Sequence, residues 1–167
     1  GFYYDFDRKE PFTVDDLAKI EEKMREIAKT NAPFECSTVP KEEAIKLFEQ
    51  KGEKYKKELA EAIEDSTVSF YKSGNFTDLC KGPHVKSTGE IKHFKLLSVA
   101  GAYWRGDSTR EQLQRIYGTA FFTKQELDDY LKKIEEAQKR DHRKLGRELD
   151  LFSINDAVGG GLILWHP

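Results

Sequence analysis

The stretch Asp78-Leu79-Cys80-Lys81-Gly82-Pro83-His84 brings a carboxylate, a thiol and an imidazole close together in the chain. Cys80 is one of two cysteines and His84 one of four histidines, and they stand four positions apart. Gly82 and Pro83 disfavour a helix, so a turn is expected to fold thiol and imidazole back toward each other. If the lead-in is a strand, Asp78 shares the face of Cys80. Such a set can ligate a metal, attack as a nucleophile or position a water. The competing reading is a buried cysteine in an ordinary Gly-Pro turn. Spacing alone does not choose between them.

A second group is Lys54, Lys56 and Lys57, clustered at the start of a helical pattern. Cations there oppose the helix macrodipole, so one of them is a candidate for chemistry, against the plainer reading of a solvated lysine.

The elements that must position these residues follow from periodicity. Phe2, Tyr4 and Phe6 alternate with Tyr3, Asp5 and Asp7, the period of a strand. Thr13 caps a helix to about Lys29 whose inner stripe is Leu17, Ile20, Met24 and Ile27. Residues 34–39 predict a short strand, and Pro40 opens a helix with Ala44, Leu47 and Phe48 inward. Gly52 ends it, and a charged helix over 53–64 turns Tyr55, Leu59, Ala62 and Ile63 to the core. From Thr67 the pattern is strands: Val68 and Phe70, a Gly74-Asn75 turn, then 76–79, 91–100 and 113–122, with a turn at Arg105-Gly106-Asp107. Thr123 caps a last helix over about 124–149, and Gly159-Gly160-Gly161 reads as a connector. Helices, then strands, then a long helix predict an α+β fold, with a mostly antiparallel sheet, packed helices and a long C-terminal linker helix.

Composition narrows the class. With 38% hydrophobic and 12% aromatic residues the 167-residue chain can build a real core, so wholesale disorder is excluded. No apolar run approaches the ~18 residues of a membrane span, and no signal peptide is visible. Two cysteines make no disulfide framework, which favours a reducing compartment, by default the cytoplasm. The net charge of −2 argues against a general nucleic-acid binder. The charge is uneven, however. From Lys81 to Lys124 eight cations face only Glu90, Asp107 and Glu111, enough to present one cationic face to a polyanion. The chain starts without methionine and stops in the apolar run Leu162-Ile163-Leu164-Trp165, so an excised piece of a larger protein is expected.

Five segments occur in a telling order: Gly1-Phe2-Tyr3-Tyr4-Asp5, Asp78 to His84, Val99 to Asp107, Leu113 to Ala120, and Arg140 to Gly146. Together they resemble the bacterial and eukaryotic threonyl-tRNA synthetases over essentially the whole chain. The resemblance implies an editing domain over 1–122, a linker helix over 123–149 and the start of a truncated class II catalytic domain over 150–167. In that family the editing domain hydrolyses serine wrongly attached to tRNA(Thr). Its pocket combines a His-x-x-x-His helix with this Cys-x-x-x-His turn. Here the histidines are His84, His93, His142 and His166, and no pair has that spacing. The first half is therefore expected upstream of Gly1, and the isolated piece is expected to be an incomplete catalyst.

By resemblance, Cys80 and His84 line the ester, Asp78 positions substrate or water, and Lys56 takes part in the hydrolysis. Tyr3 is expected as pocket wall, with Tyr103, Arg105 and Arg115 on the substrate side and the arginines on tRNA phosphates. Arg115 has a second reading, bracing the sheet through Asp78 or Asp107. His93, His142 and His166 are given no role. No metal is expected here, Cys80 and His84 being at most half a zinc site. ATP, magnesium and zinc are expected only in the full-length catalytic domain. The expected partner is the acceptor end of tRNA(Thr), with no membrane and with the full protein a homodimer. Two alternatives remain: an RNA-docking module without chemistry, and a free-standing editing protein of the alanyl type. The linker helix and apolar tail speak against the latter.

Overall fold

The computed structural model describes residues 1–140, 145, 149–154 and 163–165. The chain divides into two compact units, Gly1–Ala120 and Phe121–Pro167.

The first unit is α+β, with two separate three-stranded antiparallel sheets rather than one. In the first sheet β1 (Phe2–Phe6) and β5 (His93–Tyr103) flank β6 (Gln112–Phe121). The register sets Tyr3 opposite Tyr117 and Asp5 opposite Arg115 on one face, and Tyr4 opposite Ile116 on the other. Helix α1 (Val14–Lys29) packs against β5 and starts at the expected cap, where Thr13 and Asp16 form a reciprocal capping box. Its expected apolar stripe is only partly right, because Ile27 is exposed and Glu21 is buried. Glu21 accepts hydrogen bonds from the Leu96 backbone N–H (3.0 Å), from Lys95 (3.2 Å) and from Arg25. Burial pushes its carboxyl pKa up, but these donors outweigh burial and hold it below the ordinary range.

The second sheet has β3 (Thr67–Ser73) between β2 (Glu35–Pro40) and β4 (Phe76–Leu79). Gly74, at a φ of 58°, makes the two-residue β3–β4 turn. Helices α2 (Lys41–Gln50) and α3 (Lys54–Glu61) cover one face, and Ala44, Phe48, Ala60, Val68 and Phe70 form its core. Full burial of Phe48 or Phe70 contributes about 2–3 kcal/mol. Helix α3 is shorter than its sequence pattern, and its buried residue is Ala60 while Leu59 is exposed. The alanine, without a side chain beyond Cβ, lets α3 approach closely.

In the second unit α4 (Lys124–Lys139) begins at a Thr123–Glu126 capping box, and Phe121 packs its ring on Tyr130. A short hairpin joins β7 (Phe152–Ile154) to β8 (Ile163–Trp165). Of the expected linker-helix residues, 141–144 and 146–148 lie outside the described residues, as do His142, His166 and the glycines 159–161. Among the described residues no helix is long and apolar enough to cross a membrane.

Candidate active site

Each lysine at the start of α3 finds a carboxylate, which offsets its unfavourable place at a helix N-terminus. Lys54 reaches Glu111 (3.2 Å) and Asp7 (3.6 Å), and Lys57 reaches Glu49 (2.8 Å). Lys56 reaches Asp78 of β4, with Nζ 3.0 Å from Oδ1. The other oxygen of Asp78 accepts the hydroxyl hydrogen of Tyr4 from β1 at 2.7 Å. Oδ1 also accepts the backbone N–H of Leu79 at 2.8 Å. The carboxylate therefore has a cation on one oxygen and a phenol on the other. Its side chain is 17% exposed and that of Lys56 23%, so the pair is shielded yet reachable. Burial, then the hydrogen bond and charge of Asp78, push the Tyr4 phenol well above its ordinary pKa, so it stays a hydrogen-bond donor.

This corner lines a cavity of about 480 Å³, whose walls also include Tyr3, Tyr55 and Trp104. Its size suits a small ligand.

The Cys80–His84 turn follows directly. Cys36, Tyr71 and Asp78 stand opposite one another across the three strands, so their side chains share the face turned away from the core. Cys80, whose N–H bonds the Ser69 carbonyl at 3.0 Å, continues that face. The His84 ring lies against Tyr71, centroids 4.0 Å apart, and meets Phe34 edge-on at 5.2 Å. Gly82, at a φ of 73°, passes so close to Tyr71 that a Cβ would collide with its hydroxyl. The Cys36 side chain beside its hydroxyl, then burial and the charge of Cys36 and Cys80, push the Tyr71 phenol upward. The turn thus folds His84 onto the Tyr71 ring. Among the described residues His84 makes no hydrogen bond to Cys80, Asp78 or Lys56, and no three His, Cys, Asp or Glu side chains gather as a metal site. Two donors do not complete a tetrahedral zinc site.

The remaining expected residues are placed as follows. Tyr3 lines the cavity, and the Arg115 guanidinium lies over its ring at 4.0 Å. Arg115 binds Asp5 with both oxygens, at 2.6 and 2.8 Å, which corrects the expected brace through Asp78 or Asp107. The cross-strand register puts Asp5 opposite it, while Asp107 is occupied by Thr109 and Asp78 by Lys56 and Tyr4. Arg105, at a φ of 55°, pairs with Glu58 at 3.2 Å. Tyr103 is exposed at the end of β5, and its neighbour Trp104 lines the cavity instead. His93 opens β5.

Sequence reasoning missed Tyr4, Tyr71 and Cys36. The alternation of β1 put Tyr4 with Phe2 and Phe6, an apolar face by appearance. Only the approach of β4 gives its hydroxyl a carboxylate to bind.

Residues 68–117, from β3 through the Cys80–His84 turn into β6, match the family described as the threonyl and alanyl tRNA synthetase second additional domain. That match, over less than a third of the chain, is to a domain of aminoacyl-tRNA synthetases. The match with individual relatives runs the whole length of the chain. It is 61% identical to a threonine–tRNA ligase of Citrifermentans bemidjiense, 61% to one of a Geobacter species (strain M21) and 57% to one of Pelobacter propionicus. In each case all of this chain is covered and 26% of the relative. The chain belongs with the threonine–tRNA ligases and spans about a quarter of the length of the curated relatives it matches.

Proposed function

We propose that this chain carries most of a proofreading domain that hydrolyses serine from Ser-tRNA(Thr), within a larger ATP-dependent threonine–tRNA ligase. The observation that supports it best is the Asp78 carboxylate, shared by Lys56 and Tyr4 at the wall of a cavity and followed two residues on by Cys80. In the same reading residues 1–122 are the editing domain, 123–149 the linker helix and 150–167 the entry to the catalytic domain. ATP, magnesium and zinc belong to that domain.

The need for such a site is physical. Serine lacks one methyl group of threonine, and a difference of that size yields only ~1–3 kcal/mol of discrimination. A second pocket that admits serine and excludes the methyl raises fidelity.

In this reading the seryl ester lies over the Asp78 corner. Water adds to the ester carbonyl, the bond to the ribose oxygen breaks, and serine and free tRNA leave. The Lys56 ammonium, oriented by Asp78, stabilises the oxyanion. Tyr4 keeps Asp78 in place by donating to it. His84, held by Tyr71 and Phe34, accepts the proton of the water and returns it to the leaving ribose oxygen, and Cys80 lines the ester without forming a covalent bond. No two of the four histidines are spaced as His-x-x-x-His, so the remaining groups come from outside this sequence and these residues form part of a shared pocket.

The test is deacylation of Ser-tRNA(Thr) by a full-length ligase carrying this sequence. Loss on Cys80→Ala and on His84→Ala, with tRNA binding retained, is expected. Full hydrolysis by both variants would remove the turn from the site and leave an RNA-docking role.

A further inference from the structure

The two arginines expected on tRNA phosphates are both held by carboxylates, Arg105 by Glu58 and Arg115 by Asp5. Lysines without a carboxylate partner among the described residues lie elsewhere. A cleft of about 590 Å³ opens between the last turns of α1 and the segment 89–94. Arg25, Lys29 and Lys92 stand around it, Asn31 adds a side-chain amide, and Ile91 and Phe94 line it with apolar surface. No carboxylate is among its lining residues. Arg25 is fixed by its bond to Glu21 and by packing over the Phe94 ring at 5.9 Å. Among the described residues neither Lys29 nor Lys92 has a carboxylate within salt-bridge reach. Lys29 also sits favourably at a helix C-terminus, but Lys92 is in no helix and has no such compensation.

The cleft is tied to the Cys80–His84 turn by short links. Asn31 accepts from Ser87 Oγ (2.6 Å), and the Ala32 carbonyl accepts from the Thr88 N–H (2.9 Å). The Phe34 N–H donates to the Lys86 carbonyl (3.0 Å), and Phe34 itself packs on His84. Two further exposed lysines, Lys81 and Lys86, flank His84; neither side chain forms an ion pair among the described residues, and Glu90 accepts the Lys86 backbone N–H at 3.0 Å. Cations therefore continue from the cleft to the turn along one connected segment.

We propose that this cleft is a phosphate-binding track, in which Lys29 and Lys92, with Arg25 at the back, hold the RNA backbone while its aminoacylated 3′ end reaches His84. The proposal rests on the hydrolytic reading for the identity of its polyanion. Two lysines without carboxylate partners, backed by an arginine shared with Glu21, suit a backbone contact, which adds affinity and salt dependence without reading bases.

The test uses a full-length ligase carrying this sequence and measures tRNA(Thr) affinity against salt and Ser-tRNA(Thr) deacylation. Lys29→Ala/Lys92→Ala is expected to weaken tRNA binding about tenfold at low salt. The slope of log K against log salt should become shallower by about 1–2, the loss of two phosphate contacts. The ratio of kcat/KM on charged tRNA to that on a seryl ester of adenosine should fall by a similar factor. Lys29→Arg/Lys92→Arg should restore all three, and Lys46→Ala, an exposed lysine on α2, should not reproduce the loss. An unchanged salt slope in the folded double alanine variant would overturn the track, as would an equal loss on the adenosine ester. A wild-type protein that binds tRNA but does not hydrolyse the ester would end the proofreading reading, while the salt slope would still decide the cleft.

Discussion

Glu58 and Asp78 are both carboxylates ringed by donors, and their donors differ in kind. Glu58 takes two hydrogen bonds from Arg110 at 2.7 Å each, one from Trp104 Nε1 at 3.0 Å and one from Arg105 at 3.2 Å. The Arg110 guanidinium beside it, with Trp104 and Arg105, holds its carboxyl down at about 2. A planar guanidinium fork is committed to its carboxylate. Glu58 thus fastens α3 to the turn after β5. Asp78 has instead a single lysine and a phenol. Lysine is a compact point charge on a flexible stem, free to turn toward a negative charge that develops beside it. One arrangement fixes geometry and the other leaves a cation available at a cavity wall.

The strongest way to break this comparison is to neutralise each carboxylate in turn. Asp78→Asn is expected to lower Ser-tRNA(Thr) hydrolysis about 10²–10³-fold, the scale of losing an aligned electrostatic group. Its thermal midpoint should stay close to wild type. Glu58→Gln should do the reverse, lowering the midpoint by several degrees while hydrolysis falls less than tenfold. Paired activity and melting measurements decide it.

Next in size is Lys56. Lys56→Met should cost about 10²-fold in kcat, and Lys56→Arg should recover only part of it, because the fork locks onto Asp78 as Arg110 does onto Glu58. Single-turnover hydrolysis checks both.

The pH dependence sharpens the contrast further. The Glu58 pKa is depressed in the folded state relative to about 4.3 in the unfolded chain. Its stabilisation is therefore fully present above about pH 4.3 and is lost as pH falls toward 2. Urea midpoints between pH 6 and pH 2.5 should fall more steeply for wild type than for Glu58→Gln. The smallest effect belongs to Tyr4. Its phenol stays protonated at working pH and only steadies Asp78, so Tyr4→Phe should slow hydrolysis about three- to tenfold without moving the pH–rate profile.

Much of this was legible in residue order. The Thr13 and Thr123 caps, the inward Ala44 and Phe48, and the alternation of Val68 and Phe70 located their elements, because capping and burial are local or periodic. Residues 80–84 were identifiable as a turn by Gly82 and Pro83, after the strand that ends at Leu79. The partners across space were not legible. Whether Asp5 or Asp78 met Arg115 depended on the β1–β6 register, which no single strand encodes. Lys56 stood out among three neighbouring lysines only by family resemblance, and its contact with Asp78 needed α3 placed against β4. Tyr71 carried no signal, since an aromatic in a strand reads as core; its link to His84 exists only because Gly82 lets the turn fold onto its ring.

The most direct measurement is single-turnover deacylation of Ser-tRNA(Thr) and Thr-tRNA(Thr) by a full-length ligase carrying this sequence, wild type beside Asp78→Asn. The account predicts that wild type clears serine far faster than threonine and that Asp78→Asn clears serine about 10²–10³-fold more slowly than wild type. A folded Asp78→Asn protein that still clears serine at the wild-type rate would contradict it.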